Sequence, residues 1–372
     1  MNLGADRTRG LFASDGRRAL SLRELGIDLL TAGTLDPLLA AGRAAWTDAH
    51  ARIDQAFRTA GDDQFVDPAS LDLRLPFTVA DYVDFYSSIE HATNLGRILR
   101  PNAEPLFRNW RHLPVSYHGR AGTVVVSGTP IRRPRGLIAG SNDEPTYRPT
   151  ARLDIELEVA VVVGGRTELG HPLPIDDVGE HIFGLVLLND WSARDIQAYE
   201  YQPLGPHLGK SFATSISAWV TPIDDLRPYL VEPPPQEPAP AAHLRTDEPW
   251  AIDLDLRVLL QSRGMRDAGM APHEISATNF RSLYWTIAQQ LAHLTANGAA
   301  LRAGDLYASG TVSGPERGTE GSLIELTWGG TEPLSLPDGT TRTFLEDGDR
   351  VVLEARAGEH VHLGAVEGEI LV

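Results

Sequence analysis

At 372 residues, with 42 % hydrophobic and 22 % charged side chains, the chain has a globular composition and room for one large domain plus a smaller one. Its 50 acidic and 33 basic residues give a formal net charge of −17, which argues against nucleic acid and acidic membranes as partners. The absence of cysteine excludes disulfides, a thiolate nucleophile and zinc–thiolate sites. No apolar run approaches the ~20 residues of a membrane span, and Met1 to Gly10 carries no signal core, so a cytoplasmic protein is expected.

In chain order, residues 1–80 read as a small N-terminal β domain with a helix, and 81–372 as a larger β-rich domain. Gly10 to Ala13 and Arg18 to Leu22 flank a Ser14-Asp15-Gly16 turn, the pattern of a hairpin. Asp36-Pro37 opens a helix to about Ala60, with Leu38, Leu39, Ala45, Trp46, Ala49 and Ile53 at helical spacing. From Asp81 onward, short strands are punctuated by glycine and proline, and the clearest are 122–126, 153–163, 182–188, 251–260 and 322–327. Thr278 or Asn279 caps one helix, whose face is Phe280, Leu283, Tyr284, Ile287, Leu291 and Leu294 and whose end is Asn297-Gly298. Residues 231–242, with five prolines, form a stiff surface loop.

The chemistry concentrates in a few places. Lys210 is the single lysine beside 32 arginines. A chain that uses arginine wherever a generic cation is enough makes this lysine a candidate for a task that needs a compact ammonium. Along 153–159, Asp154, Glu156 and Glu158 project from one strand face while Leu153, Ile155, Leu157 and Val159 take the other. Three acids without an intervening cation call for something positive between them. Asp190 ends an apolar strand, where a carboxylate is costly unless paired or metal-bound. Oxygen-only ligands favour Ca²⁺ or Mg²⁺ over zinc or copper. Residues 81–94 gather acids, phenols, hydroxyls and His91 with few aliphatics, better material for a polar pocket than for a core. His91 is the candidate base there, against the plainer reading of a structural histidine.

The runs DYVDFYSSIEHATNLG (81–96), FRNWRHLPVSYHGRAGTVVVSGTPIRRPRG (107–136), LDIELEVAVVVG (153–164), NDWSARDIQAYEYQPLGPHLGKSF (189–212) and ASGTVSGPERGTEGSLIELTW (308–328) closely resemble the fumarylacetoacetase family. The likeness covers nearly everything after residue 75. It implies a mostly β fold, a mixed β-sandwich roll preceded by a small β-barrel-like domain, working as a homodimer. It also implies hydrolysis of the carbon–carbon bond of 4-fumarylacetoacetate, a dianionic diketo acid, to fumarate and acetoacetate in tyrosine and phenylalanine breakdown. By motif the divalent-metal ligands are Asp84, Glu156, Glu158 and Asp190, and Asp154 is not among them. His91 matches the base that activates water and Glu325 the acid that orients it. Arg194, Gln197 and Lys210 fall at charge-stabilising positions, and Tyr86, Arg100, Gln197, Tyr201 and Thr311 at substrate contacts. Lys210 and Thr214 also match positions around a second, magnesium-type cation.

Elementary chemistry agrees with that assignment. An unstrained C–C bond breaks hydrolytically only if the leaving carbanion departs as an enolate, and a 1,3-dicarbonyl can chelate a divalent ion that takes up the charge. Water still needs a base near neutral pH, which suits a histidine held in one tautomer by a carboxylate. Four carboxylates around a +2 ion leave about −2 locally, so Lys210, Arg194 and Arg100 are needed as embedded cations. Three residues depart from the family pattern: Glu90, Tyr199 and His207 replace Gln, Trp and Phe. Glu90 matters to His91 only if the two share one environment. The opening strand of the small domain lacks its counterpart, so that domain is expected to be truncated or its start assigned late. Two alternatives stay open: an enzyme for another 1,3-diketo or oxo acid on the same scaffold, and a non-catalytic sandwich holding structural calcium.

Overall fold

The computed structural model describes residues 1–140 and 144–372. Its backbone is a 13-stranded sheet packed against a six-stranded one. At the centre of the large sheet, Ile182–Asp190 pairs antiparallel with Leu157–Val163, which pairs in turn with Asp305–Ala308. Asp81–Phe85 runs parallel to Asp305–Ala308, and Ser116–His118 closes that side. The run Leu157–Val163 is nearly all apolar because both of its faces are covered. Val159, Val161 and Val163 meet the second sheet through Leu256, Val258 and Leu353, together with the helix Ile287–Thr295. Ala160 and Val162 instead meet the N-terminal helices through Leu39, Trp46 and Ile53.

The hairpin near the N-terminus forms as read, from Gly10–Ser14 and Ala19–Ser21. The helix after Asp36 is two, Asp36–Ala41 and Arg43–Thr59, because Gly42 takes φ 84°, which breaks the hydrogen-bond run. Asn2–Asp6 is an additional strand that the polar sequence did not reveal. It joins the hairpin to Trp219–Pro222 of the large sheet, with Leu3 opposite Val220. The N-terminal strands therefore share an edge with the main sheet.

Further elements differ from the sequence reading: 122–126 is strand only over Val124–Val126, and 251–260 is two strands, Ala251–Ile252 and Asp255–Gln261. The strand expected over 153–163 is interrupted: Leu153–Asp154 pairs with Ser192–Ala193, and the regular strand resumes at Leu157. Residues 322–327 hold a one-turn helix, Leu323–Leu326, rather than a strand. Leu323, Ile324, Glu325 and Leu326 are all buried, so no alternating face was there to be read. Residues 273–279 are strand, and the following helix starts only at Ile287, capped by Thr286 with Gln289 completing a capping box. Asn279 caps only a single 3₁₀ turn, Phe280–Ser282, and Leu283 and Tyr284 reach the core from the non-helical backbone after it, so the helical spacing was misleading.

Candidate active site

The acid cluster forms where three strand rows run out. Tyr82, Ala160 and Leu188 belong to the core under the N-terminal helices, and two residues along their strands lie Asp84, Glu158 and Asp190. Glu156, just before the strand resumes, completes the group, with one carboxylate oxygen of each of the four within 4.8 Å of the others. All four are buried. Asp84 Oδ1 and both oxygens of Glu158 have no hydrogen-bond partner among the described residues. Burial, followed by repulsion from neighbouring carboxylates, pushes the pKa values of Asp84 and Glu158 well above their ordinary range. Orphaned, mutually repelling, oxygen-only donors are what a hard divalent cation would satisfy, so the residues present fit one.

Cations close two sides of the cluster. Lys210 Nζ donates to Glu156 and, at 2.7 Å, to Asp190 Oδ2. Burial alone would depress its pKa, but Asp190 and Glu156 hold it well above the ordinary lysine value. It meets the carboxylates as an ammonium with no lone pair to offer a metal. Arg194 Nη1 donates to Glu156 Oε1 at 2.7 Å and to Gln197 Oε1 at 3.2 Å, while its Nη2 has no partner among the described residues. Burial pushes Glu156 up, yet Lys210 and Arg194 overcome this and keep it ionised far below its ordinary range. Tyr117, at 2.8 Å, and Thr214, at 3.2 Å, donate their hydroxyls to Asp190.

His91 lies beside this cluster on the helix Ile89–Leu99, whose Ser88 cap accepts the His91 backbone N–H at 3.1 Å. Its Nδ1 is 2.6 Å from Glu325 Oε2, and its Nε2 points toward Glu156 Oε1 at 3.8 Å. Asn94, Ser313 and Ser322 also donate to the Glu325 carboxylate at 3.1, 2.9 and 2.7 Å. Burial raises the Glu325 pKa, but His91, Ser322 and Asn94 together hold it below the ordinary glutamate value. An ionised acceptor beside Nδ1 favours the tautomer that carries its proton there. The Glu90 carboxylate turns instead toward Ser88 Oγ, 3.4 Å away.

A cavity of about 520 Å³ opens onto the cluster and the histidine. It is lined by Asp84, Glu156, His91, Arg194 and Lys210, and by all five expected substrate contacts: Tyr86, Arg100, Gln197, Tyr201 and Thr311. Glu158, Asp190, Thr214 and Glu325 stand behind its wall. Tyr86 packs edge-on to His91, with ring centroids 5.3 Å apart. Thr311 Oγ1 is a buried hydroxyl without a partner among the described residues. Arg100 stacks over Phe107, its guanidinium carbon 4.3 Å from the ring centroid, and donates to the Pro105 carbonyl. A smaller cavity of about 200 Å³ reaches Lys210, Thr214 and Asp190 from the other side. The sequence reading passed over Tyr117, Asn94, Ser313 and Ser322. All four lie inside conspicuous blocks, but as single polar residues they carry no pattern that marks them out.

Comparisons with known proteins bear on this site. The family model described as "Fumarylacetoacetate (FAA) hydrolase C-terminal" matches residues 82–370. A rat protein named fumarylacetoacetase is 47 % identical over 352 residues, covering 91 % of this chain and 83 % of its own. The Arabidopsis thaliana fumarylacetoacetase is 43 % identical over 385 residues, covering 100 % of this chain and 89 % of its own. Among solved structures, a fumarylacetoacetate hydrolase from psychrophilic Exiguobacterium antarcticum superposes with a TM-score of 0.57 at 14 % identity, covering 100 % and 98 % of the two chains, a likeness of fold alone. With nearly half of its residues shared across most of its length, and with its acid cluster, histidine and cavity all inside the matched span, this chain belongs to the fumarylacetoacetate hydrolase family.

Proposed function

We propose that the protein hydrolyses 4-fumarylacetoacetate to fumarate and acetoacetate, the last step of tyrosine and phenylalanine breakdown. The observation that carries this reading is His91, its Nδ1 2.6 Å from Glu325 and its ring lining a cavity beside four buried carboxylates. Asp84, Glu156, Glu158 and Asp190 would hold a divalent cation, Ca²⁺ or Mg²⁺, whose Lewis acidity would act on the 1,3-dicarbonyl. Lys210 and Thr214 border the smaller cavity; a second, magnesium-type ion beside them would find an oxygen in threonine and only a charge in lysine.

His91 Nε2 takes a proton from water, and the hydroxide adds to the ketone carbon of the fumaryl half. The C–C bond then breaks toward the acetoacetyl half, whose carbon receives the electron pair as an enolate and is finally protonated. Arg194, Gln197 and Lys210, which line the cavity, would stabilise the developing negative charge. Arg100, Tyr201 and Thr311, with Tyr86 packed against the base, line the cavity and would hold the dianionic substrate. The division at about residue 80 into a small N-terminal unit and a catalytic sandwich roll, and the action as a cytoplasmic homodimer, belong to the same reading. Following the loss of fumarylacetoacetate absorbance alongside fumarate formation tests it. The expected result is a higher kcat/KM than for shorter 1,3-diketo acids, and faster turnover of a shorter acid would overturn it.

A further inference from the structure

Asp154 precedes Glu156 by two residues, yet it takes no part in the four-acid cluster. Its carboxylate is fully buried and accepts four N–H groups. Oδ1 receives the backbone N–H of Ile155 and of Leu323, each at 2.7 Å. Oδ2 receives Arg194 Nε at 2.8 Å and the backbone N–H of Ile324 at 3.0 Å. A carboxylate has about four acceptor directions, so none is left for a metal. The interruption of the strand at Ile155 turns this acid away from its neighbours Glu156 and Glu158. Its donors come from separate stretches: the segment leading into the acid strand, the helix Arg194–Glu200 and the turn Leu323–Leu326 that bears Glu325.

Resting on the hydrolytic reading above, we propose that Asp154 is a positioning residue that locks Arg194 and the Glu325 turn into one frame. With Nε held by Asp154 and Nη1 by Glu156, the guanidinium plane is fixed, and Nη2 is left as a buried donor without a partner among the described residues, on a residue that lines the cavity. The same carboxylate anchors the first two N–H groups of the turn, which sets where Glu325 meets Ser322 and His91. The separation between the charge-stabilising donor and the general base is thus governed by a group that touches neither substrate nor metal.

Asp154→Asn keeps the size but turns an NH₂ toward either Arg194 or the turn, so one anchorage is lost. In folded protein, kcat should fall by about 10²-fold or more, the cost of an ångström-scale misplacement, while KM and the calorimetric Ca²⁺ affinity change by less than about threefold. In an Arg194→Gln background the same substitution should cost at least about tenfold less, because the guanidinium it orients is absent. Equal losses in both backgrounds, or kcat within about threefold of the parent, would overturn the proposal. A second readout needs neither turnover nor metal. The far-downfield proton resonance of the His91–Glu325 bond, identified by its loss in His91→Ala, should shift or broaden in Asp154→Asn, and an unmoved resonance counts against the proposal. If Asp154→Asn fails to fold, Arg194→Lys serves: it keeps the charge but loses the fork, and kcat at the parental level would overturn the proposal. Failure of the parent protein to hydrolyse fumarylacetoacetate would sink the hydrolytic reading instead, and the proton signal would still report on the frame.

Discussion

Replacing Lys210 with methionine isolates the electrostatic balance of the site. The ammonium is buried between Glu156 and Asp190, with Nζ 2.7 Å from Asp190 Oδ2. At an effective dielectric of ~20, a contact of that length is worth about 6 kcal/mol before the several kcal/mol needed to desolvate the ammonium. Methionine fills much of the same space but leaves Glu156 to Arg194 alone and Asp190 to two hydroxyls, and removing one partner of a buried pair costs about 3–5 kcal/mol. Chemical denaturation in the presence of chelator should therefore show Lys210→Met less stable than the parent by about 3–5 kcal/mol. Saturating Ca²⁺ returns positive charge to the same carboxylates, so the deficit should shrink clearly when the ion is added. A deficit below about 1 kcal/mol in chelator, or one that calcium leaves unchanged, would refute the reasoning.

Other consequences follow from single contacts. His91→Ala should abolish turnover while calorimetry still finds divalent-ion binding, since the imidazole is no member of the carboxylate group; near-parental kcat would remove His91 from the base role. A Cβ at Gly209 would lie 2.8 Å from the Gln197 backbone nitrogen, so Gly209→Ala must push back the helix that carries Arg194 and Gln197. The expected outcome is a loss of about 1–3 kcal/mol in stability and about tenfold or more in kcat, and unchanged kinetics would show that the helix position is not critical. Away from the site, the hydrogen bond that His50 donates to Asp225 raises the His50 pKa above 6.5, while burial of Asp225 is outweighed by His50 and the chain's amino terminus, which lower it below 3.8. The histidine's contribution to stability is complete below pH 6.5 and lost as pH rises through its folded value; that of Asp225 is complete above pH 3.8 and lost as pH falls through its own. Stability curves should therefore fall above pH 6.5 by up to about 1 kcal/mol, and His50→Gln should flatten that fall; an unaltered slope would disprove the pairing.

The sequence carried much of this site because its chemistry sits at the ends of strongly patterned strands. Asp190 stands out where an apolar run stops and Glu156 and Glu158 where acids alternate with aliphatics, whereas Asp84 is one acid in a polar stretch, picked out only by the family motif. Alternation failed at Asp154, where a pattern of period two could not register the two-residue break that sends this acid to Arg194 and the Glu325 turn. It failed again at Leu323–Leu326, since a buried turn and a buried strand both show a short apolar run. The strand Asn2–Asp6 was illegible for a different reason. Its Gly4 is required by the Trp219 ring, 2.6 Å from where a Cβ would lie, and nothing local in the N-terminal run signals that contact. Asn94, Ser313 and Ser322 gain their meaning only when the fold brings them to one carboxylate.

Chelation addresses the central claim most directly, because the account makes C–C cleavage depend on a cation held by Asp84, Glu156, Glu158 and Asp190. Protein stripped with EDTA and transferred to metal-free buffer should release fumarate only at the background rate and recover when Ca²⁺ or Mg²⁺ is restored. Undiminished fumarate release from the stripped protein would contradict it.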